Sequence, residues 1–276
     1  MLKKLIKSTI EKSGYVINKK VQIKSNDPKG SFDFVGYDYG SESIFVIEKT
    51  KEYSMMPYVN IQTLYEQAIY CEKNNIQGSF VECGVWKGGA VGAMAMANLK
   101  HGVSRRDLHL FDSFDDICSP NAEIDGTKAV DDVFNYSNIN KESFLSGQLT
   151  PIEGFYDFLG GHGTVDDCSN LLFNHIKYPR EHVHFHKGWF QDTLPKDADK
   201  IDKIAILRLD GDWYDSIKIC LDYLYDKVAE NGIVIIDDYG YYQGCTKAVD
   251  DFFKERNIIT FLSYSSVGCR YFIKRK

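Results

Sequence analysis

Strand-length apolar runs alternating with helix-length segments constrain this chain more than any other feature. Residues 80–83 lead into a glycine-rich turn and an Ala/Met-rich segment, "GGAVGAMAMANLK". "DLHLFDSF" reads as a second strand ending at Asp112, "HVHFHKGWF" as a third, "KIAILRLDGD" as a fourth and "GIVIIDDY" as a fifth. Helical segments such as "DSIKICLDYLYDKVAEN" and "GCTKAVDDFFKERN" fall between them, and "IITFLSY" with "RYFIK" reads as a closing pair. Upstream, Ile61, Leu64, Tyr65, Ala68 and Ile69 recur at helical spacing. This alternation predicts an α/β fold: a doubly wound, seven-stranded sheet, mostly parallel, with one antiparallel strand near its end. Such sheets bind ligands at the carboxyl ends of their strands.

Two runs deliver paired carboxylates at that end: Asp210 and Asp212 after the fourth, Asp237 and Asp238 after the fifth. Parallel neighbours bring all four to one crevice, together with the glycine turn and Asp112. Carboxylates gathered there repel one another unless a cation sits between them. Oxygen donors without His or Cys suit Mg2+ or Mn2+. Taken singly, "DGD" also reads as a turn and "DDY" as a helix cap; their coincidence at one edge favours function.

The turn "ECGVWKGG" departs from the dinucleotide pattern G-x-G-x-x-G. Trp86 stands where the middle glycine would be and would crowd a pyrophosphate, so a cofactor without one, such as S-adenosylmethionine, fits better. Asp112 at the end of the second strand is placed to hold a ribose; its bland alternative is a helix N-cap within "DSFDD". His182, His184 and His186 share one strand face, which reads as a hydrogen-bonded packed strand before a zinc site.

Composition bounds the rest. The 276 residues are 43% hydrophobic and carry a formal charge of −6. They fit one large domain with an elaborate insertion, and no nucleic-acid partner is expected. No apolar run is long enough to span a bilayer, and the basic N-terminus lacks the continuous apolar core of a signal peptide. Seven cysteines without a C-x-x-C pair point to a reducing, cytoplasmic setting with thiols as core fillers. Residues 117–180 break the alternation and are rich in glycine and polar residues. We read them as an insertion covering the crevice as lid and acceptor pocket. Residues 1–54 form a separate segment, read as a lid or oligomer contact, before a catalytic domain over 55–276.

"VECGVWKGG", "LFDSFDD", "GWFQDTLP", "LRLDGDWYDS", "VIIDDYG" and "GCTKAVDDF" occur in that order. Together they resemble the macrocin O-methyltransferase family (TylF, MycF, NovP). The resemblance implies a class I, Rossmann-like methyltransferase using S-adenosylmethionine and Mg2+ on a sugar hydroxyl. It further implies a metal held by Asp210, Asp237 and Asp238, with Asp212 as general base. Glu82, Gly84 and Gly88 would lie along the methionine and ribose. Asp112 and Ser113 would hold the ribose, with Trp189 and Phe190 near the adenine. A homo-oligomer and a small sugar or glycoside acceptor follow as expectations. The mechanism agrees with elementary chemistry: a divalent ion acidifies an alcohol and orients it for in-line attack, and Asp212 takes the proton. Rival readings are a catechol-type phenol methyltransferase, a D-x-D glycosyltransferase using a nucleotide sugar, and a non-catalytic S-adenosylmethionine-binding module.

Overall fold

In the computed structural model, which describes residues 40–140 and 142–275, helices and strands alternate as the sequence predicts. The elements are α1 (Gly40–Thr50), α2 (Tyr58–Lys73), β1 (Ser79–Cys83), α3 (Gly89–His101), β2 (Leu108–Asp112) and α4 (Gly126–Tyr136). Next come the short α5 (Val165–Ser169), β3 (Val183–Lys187), α6 (Phe190–Asp197), β4 (Ile204–Leu209) and α7 (Tyr214–Leu224). The described chain closes with β5 (Val228–Ile236), α8 (Gln243–Arg256), β6 (Ser263–Ser266) and β7 (Cys269–Ile273). The seven strands form one sheet in the order β3-β2-β1-β4-β5-β7-β6. β1 to β5 pair in parallel, and β7 runs antiparallel to both its neighbours.

The strand period of two sorts side chains between two cores. Phe80 faces one, with Ile47, Ile61, Tyr65 and Met94 from α1, α2 and α3. Val81 faces the other, with Leu194, Ile217, Leu221 and Phe252 from α6, α7 and α8. Every residue of β4 is buried, which is why "IAILRL" reads as a continuous apolar run with one exception, Arg208. A third, small core joins α4 to a later part of the same insertion through Val133, Ile152 and Phe155.

One expectation changes in detail, and two segments gain definition. The closing strand begins only at Ser263, because β6 pairs solely with β7; Ile259 and Phe261 remain outside it and exposed. Of the N-terminal segment 1–54, residues 1–39 lie outside the described residues, while α1 packs into the first core through Val46 and Ile47. The insertion holds helical structure of its own, in α4 and α5. Of the three histidines, His184 and His186 lie in β3 and His182 ends the turn before it; His182 and His184 lie 3.0 and 3.1 Å from Asp107, and His186 lies 2.8 Å from Asp197. All seven cysteines are buried and free. Among the described residues no helix is long and apolar enough to cross a membrane.

Candidate active site

β1 ends at Cys83, and the chain passes through "GVWKGG" into α3. Gly84 has φ +85°, and a Cβ there would sit 1.8 Å from the carbonyl oxygen of Asp210. The absent side chain therefore makes room first for the neighbouring backbone, rather than for a ligand as the motif alone suggests. Trp86 also lies in the left-handed region, at φ 49°. The turn is clamped from β2: Asp112 Oδ2 accepts from Val85 N–H at 2.5 Å and Trp86 N–H at 3.0 Å, and Oδ1 from Phe114 N–H at 2.7 Å. Burial raises the Asp112 pKa, and these backbone donors oppose the rise. Ser113 Oγ–H donates to Oδ1 as well, at 3.5 Å, so four donors meet about four lone-pair sites; Asp112 fixes the turn, and both it and Ser113 line the cavity.

Asp210 and Asp237 each extend the parallel ladder one step beyond their strands. Asp210 N–H donates to Cys83 O and Asp237 N–H to Leu209 O, both at 2.8 Å. Asp210, Asp212 and Asp238 each offer an oxygen within 4.8 Å of the others. Asp212 and Asp238 adopt left-handed backbone at φ 57° and 67°, a strain of about 1–3 kcal/mol each that tends to persist at functional sites. Burial and the charge of Asp210 push Asp212 well above the usual carboxylate range; burial and the charge of Asp212 do the same to Asp238. Burial is the larger cause of both shifts, and the repulsion that adds to it is the part a cation would relieve.

Asp237 stands apart from that trio. Its Oδ2 accepts from Arg208 Nη2, while Arg208 Nη1 donates to Asp210 at 2.7 Å and to Glu82 at 2.5 Å. Arg208 is 2% exposed, so one buried guanidinium gathers three carboxylates. Burial raises the Glu82 pKa to about 8 in spite of Arg208, and its Oε2 is buried with no partner. Glu82 thus faces Arg208, and neither it, Gly88 nor Asp237 lines the cavity. The sequence reading missed Arg208, although a charged residue inside "IAILRLD" is the signal that could have found it: a buried cation demands buried anions.

The cavity, of about 290 Å³, gathers Gly84, Asp112, Ser113, Trp189, Phe190, Asp210, Asp212 and Asp238. Trp189 and Phe190 open α6. Sequence reasoning gave no role to Tyr156, which lines the same cavity. Burial and the charges of Asp212 and Asp112 push its phenol well above the usual tyrosine range, so the hydroxyl stays protonated and can donate. Trp86, singled out for its bulk, donates from its indole to Gly161 O at 3.3 Å and so pins the insertion over the turn.

The family model described as Macrocin-O-methyltransferase (TylF) matches residues 47–144 and 169–274. The chain is 33% identical over 193 residues to demethyldecarbamoylnovobiocin O-methyltransferase of Streptomyces niveus, covering 70% of this chain and 63% of that protein. It is 32% identical over 179 residues to 8-demethyl-8-(2,3-dimethoxy-alpha-L-rhamnosyl)-tetracenomycin-C 4'-O-methyltransferase of Streptomyces olivaceus, covering 65% and 59%. The chain thus spans less than two thirds of the length of either curated relative. The solved structure of the O-methyltransferase NovP aligns with a TM-score of 0.64 at 28% identity, over 81% of this chain and 83% of that one. The family match takes in the glycine turn, Asp112, Arg208 and both carboxylate pairs, and so the chain belongs to the macrocin O-methyltransferase (TylF) family.

Proposed function

We propose that the chain is an S-adenosylmethionine- and divalent-metal-dependent O-methyltransferase acting on a sugar hydroxyl of a glycoside. One observation carries the reading: a single cavity at the carboxyl ends of the strands holds the glycine turn, the backbone-clamped Asp112 and three crowded carboxylates. The names of the relatives support the glycoside.

The donor set fits a hard divalent ion: three carboxylate oxygens in reach of one another, without His or Cys. Asp210 and Asp238 would hold it. When bound, the ion acidifies the acceptor hydroxyl and S-adenosylmethionine supplies an electrophilic methyl group. Asp212 stands beside both ligands and is the group placed to accept the hydroxyl proton through its carboxylate oxygen. Asp237, which the family resemblance assigns to the metal, accepts from Arg208; the same guanidinium holds Asp210, so that ion pair alone bars neither carboxylate from the metal. Asp112 orients the ribose, and Trp189 with Phe190 excludes water from the adenine side.

Titration calorimetry tests the reading, with S-adenosylmethionine added with and without Mg2+. Methyl transfer to a panel of sugars and phenols then follows, with EDTA as control. Absence of S-adenosylmethionine binding overturns it, and undiminished transfer in EDTA removes the metal. The aromatic lining, with Trp189, Trp213 and Tyr156, favours a phenol as the second reading, and preference for catechols in the panel selects it.

A further inference from the structure

Two parts of the insertion reach the cavity in different ways. Residues 154–160, which bring Phe158 to its lining, are held by Asp116, which accepts from Gly154 N–H at 2.9 Å and Tyr156 N–H at 3.4 Å. α4 and the turn before it are instead bonded to the loops that carry the aspartates. Trp213, directly after Asp212, donates from its indole to Cys118 O at 2.9 Å. Tyr214 N–H donates to Asp125 Oδ1 at 2.8 Å, the same oxygen that a Cβ on Gly244 would meet at 1.7 Å. Tyr242, in the loop after Asp238, donates from its phenol to Asp132 Oδ2 of α4 at 2.9 Å, a buried bond.

Tyr242 also reaches back to Asp238. The Asp238 carbonyl accepts from Tyr241 N–H at 2.9 Å and Tyr242 N–H at 3.1 Å. Trp213 and Tyr242 are both buried and pack edge to face, with ring centroids 5.0 Å apart and planes at 61°. The loop of Asp212 and the loop of Asp238 therefore meet through these two rings, and both are tied to α4. Left-handed aspartates such as these persist where their surroundings over-determine them. Tyr242 supplies that constraint for Asp238, bonding its carbonyl through the backbone and α4 through the side chain. The acceptor is itself fixed: Lys128 donates to Asp132 Oδ2 at 2.8 Å and lies over the Tyr241 ring at 4.2 Å.

We propose that Tyr242 is a positioning residue for the divalent ion: its phenol, anchored on Asp132, holds the left-handed turn that aims Asp238 at Asp210 and Asp212, so that metal affinity is set from α4. This rests on the metal-dependent reading above. A ligand held by a bonded neighbour loses less freedom when it takes up the ion, and removing such a neighbour weakens binding although the ligand itself is untouched. The bond joins two buried partners, so nothing else in the loop replaces it when it is lost.

The test titrates Mn2+ alone into the full chain loaded with S-adenosylhomocysteine, and follows the resonance of free aqueous Mn2+ by electron paramagnetic resonance. Tyr242→Phe keeps the ring on Trp213 and removes the phenol bond; its Kd for Mn2+ should rise about tenfold, with the affinity for S-adenosylhomocysteine unchanged. Asp132→Ala should match it, and the double variant should bind no more weakly than either single one, because both remove the same bond. Asp132→Asn, whose amide oxygen still accepts from the phenol, should recover most of the affinity. Wild-type Mn2+ affinity in Tyr242→Phe, or additive losses in the double variant, would overturn the proposal. So would an Asp132→Asn variant as weak as Asp132→Ala, which would show that Asp132 acts through its charge. Absence of Mn2+ binding by the wild type would overturn it together with the metal dependence beneath it. The expected pattern without methyl transfer to any acceptor would instead leave the positioning role standing and remove the methyltransferase reading.

Discussion

The carbonyl oxygen of Asp210 occupies the space that a side chain on Gly84 would need, 1.8 Å from the position of its Cβ. β1 and β4 approach so closely here that the glycine turn and the first carboxylate are one structural unit. Gly84→Ala should therefore unfold or destabilise the chain by about 2–5 kcal/mol, combining overpacking with a left-handed backbone. Gly88→Ala meets Cys168, its Sγ at 3.0 Å and its Cα and Cβ at 3.4 Å, and should cost about 1–2 kcal/mol. Urea denaturation of the two variants checks the ranking; equal stabilities would show that the turn relaxes.

Among the described residues, Arg208 is the cation that pairs with Glu82, Asp210 and Asp237. Arg208→Met should lower stability by about 3–5 kcal/mol, because removing one partner leaves buried charges uncompensated. Adding Glu82→Gln should recover part of that loss, and chemical denaturation of the single and double variants measures it. No recovery would place the damage elsewhere.

The aspartates should separate by function. Asp212→Asn should retain S-adenosylmethionine binding but lower turnover by about 10²–10⁴-fold, as for a lost general base. Asp238→Asn should raise the Mg2+ concentration needed for half-maximal activity, since an amide is a weaker ligand for a hard cation. Asp237→Asn should reduce thermal stability more than metal affinity, because Arg208 holds that carboxylate. Metal titrations beside melting curves decide among these outcomes.

Trp86 and Lys87 fasten residues 159–161 to the glycine turn. Trp86→Ala should loosen that segment, raising amide exchange and protease cleavage between residues 154 and 163 while β4 and β5 stay protected. Uniform protection across the segment would show that Asp116 alone suffices to hold it.

Glu42 gives the fold an acid-sensitive joint. Burial raises its pKa, but hydrogen bonds from Lys100, His101 and Tyr65 outweigh that and lower it from 4.5 to about 2. A depressed folded-state value contributes stability above the unfolded-state pKa, and that stability drains away as pH falls from about 4.5 toward about 2. Glu42→Gln should therefore melt lower than wild type at pH 6, and the difference should shrink progressively below pH 4. A difference that stays constant across this range would exclude the linkage.

The sequence made the sheet legible because its strands are buried on both faces, as "IAILRL" and "IVII" show, and apolar runs of that kind have few other uses. It made the carboxylate edge legible because parallel strands end together. It could not show which aspartates share a cluster, since Asp210, Asp212 and Asp238 converge from loops beyond two strands while Asp237 meets a guanidinium inside β4. Nor could it show the true task of Gly84, because the atom that Gly84 avoids belongs to a residue far along the chain. The edge strand was misplaced by several residues: "IITF" is as apolar as a strand, but only Ser263–Ser266 finds a partner in β7. Tyr156 and Phe158 were unreadable because an insertion without periodicity carries no register from which to infer what it faces.

β7 follows β6 in the chain yet lies between β5 and β6 in the sheet. Until β7 is in place, β6 has no strand to pair with and the flank of β5 stays open. The nascent chain must carry Ile233–Ile236 and the exposed Ile259 and Phe261 through that interval as sticky, incomplete sheet. A chain truncated between the two strands would have its carboxylate edge made and the flank of β5 unpaired. Such a product should be prone to pair with its own copies through the waiting slot, so the sensitive moment in this protein's life comes just before its last strand is threaded into place.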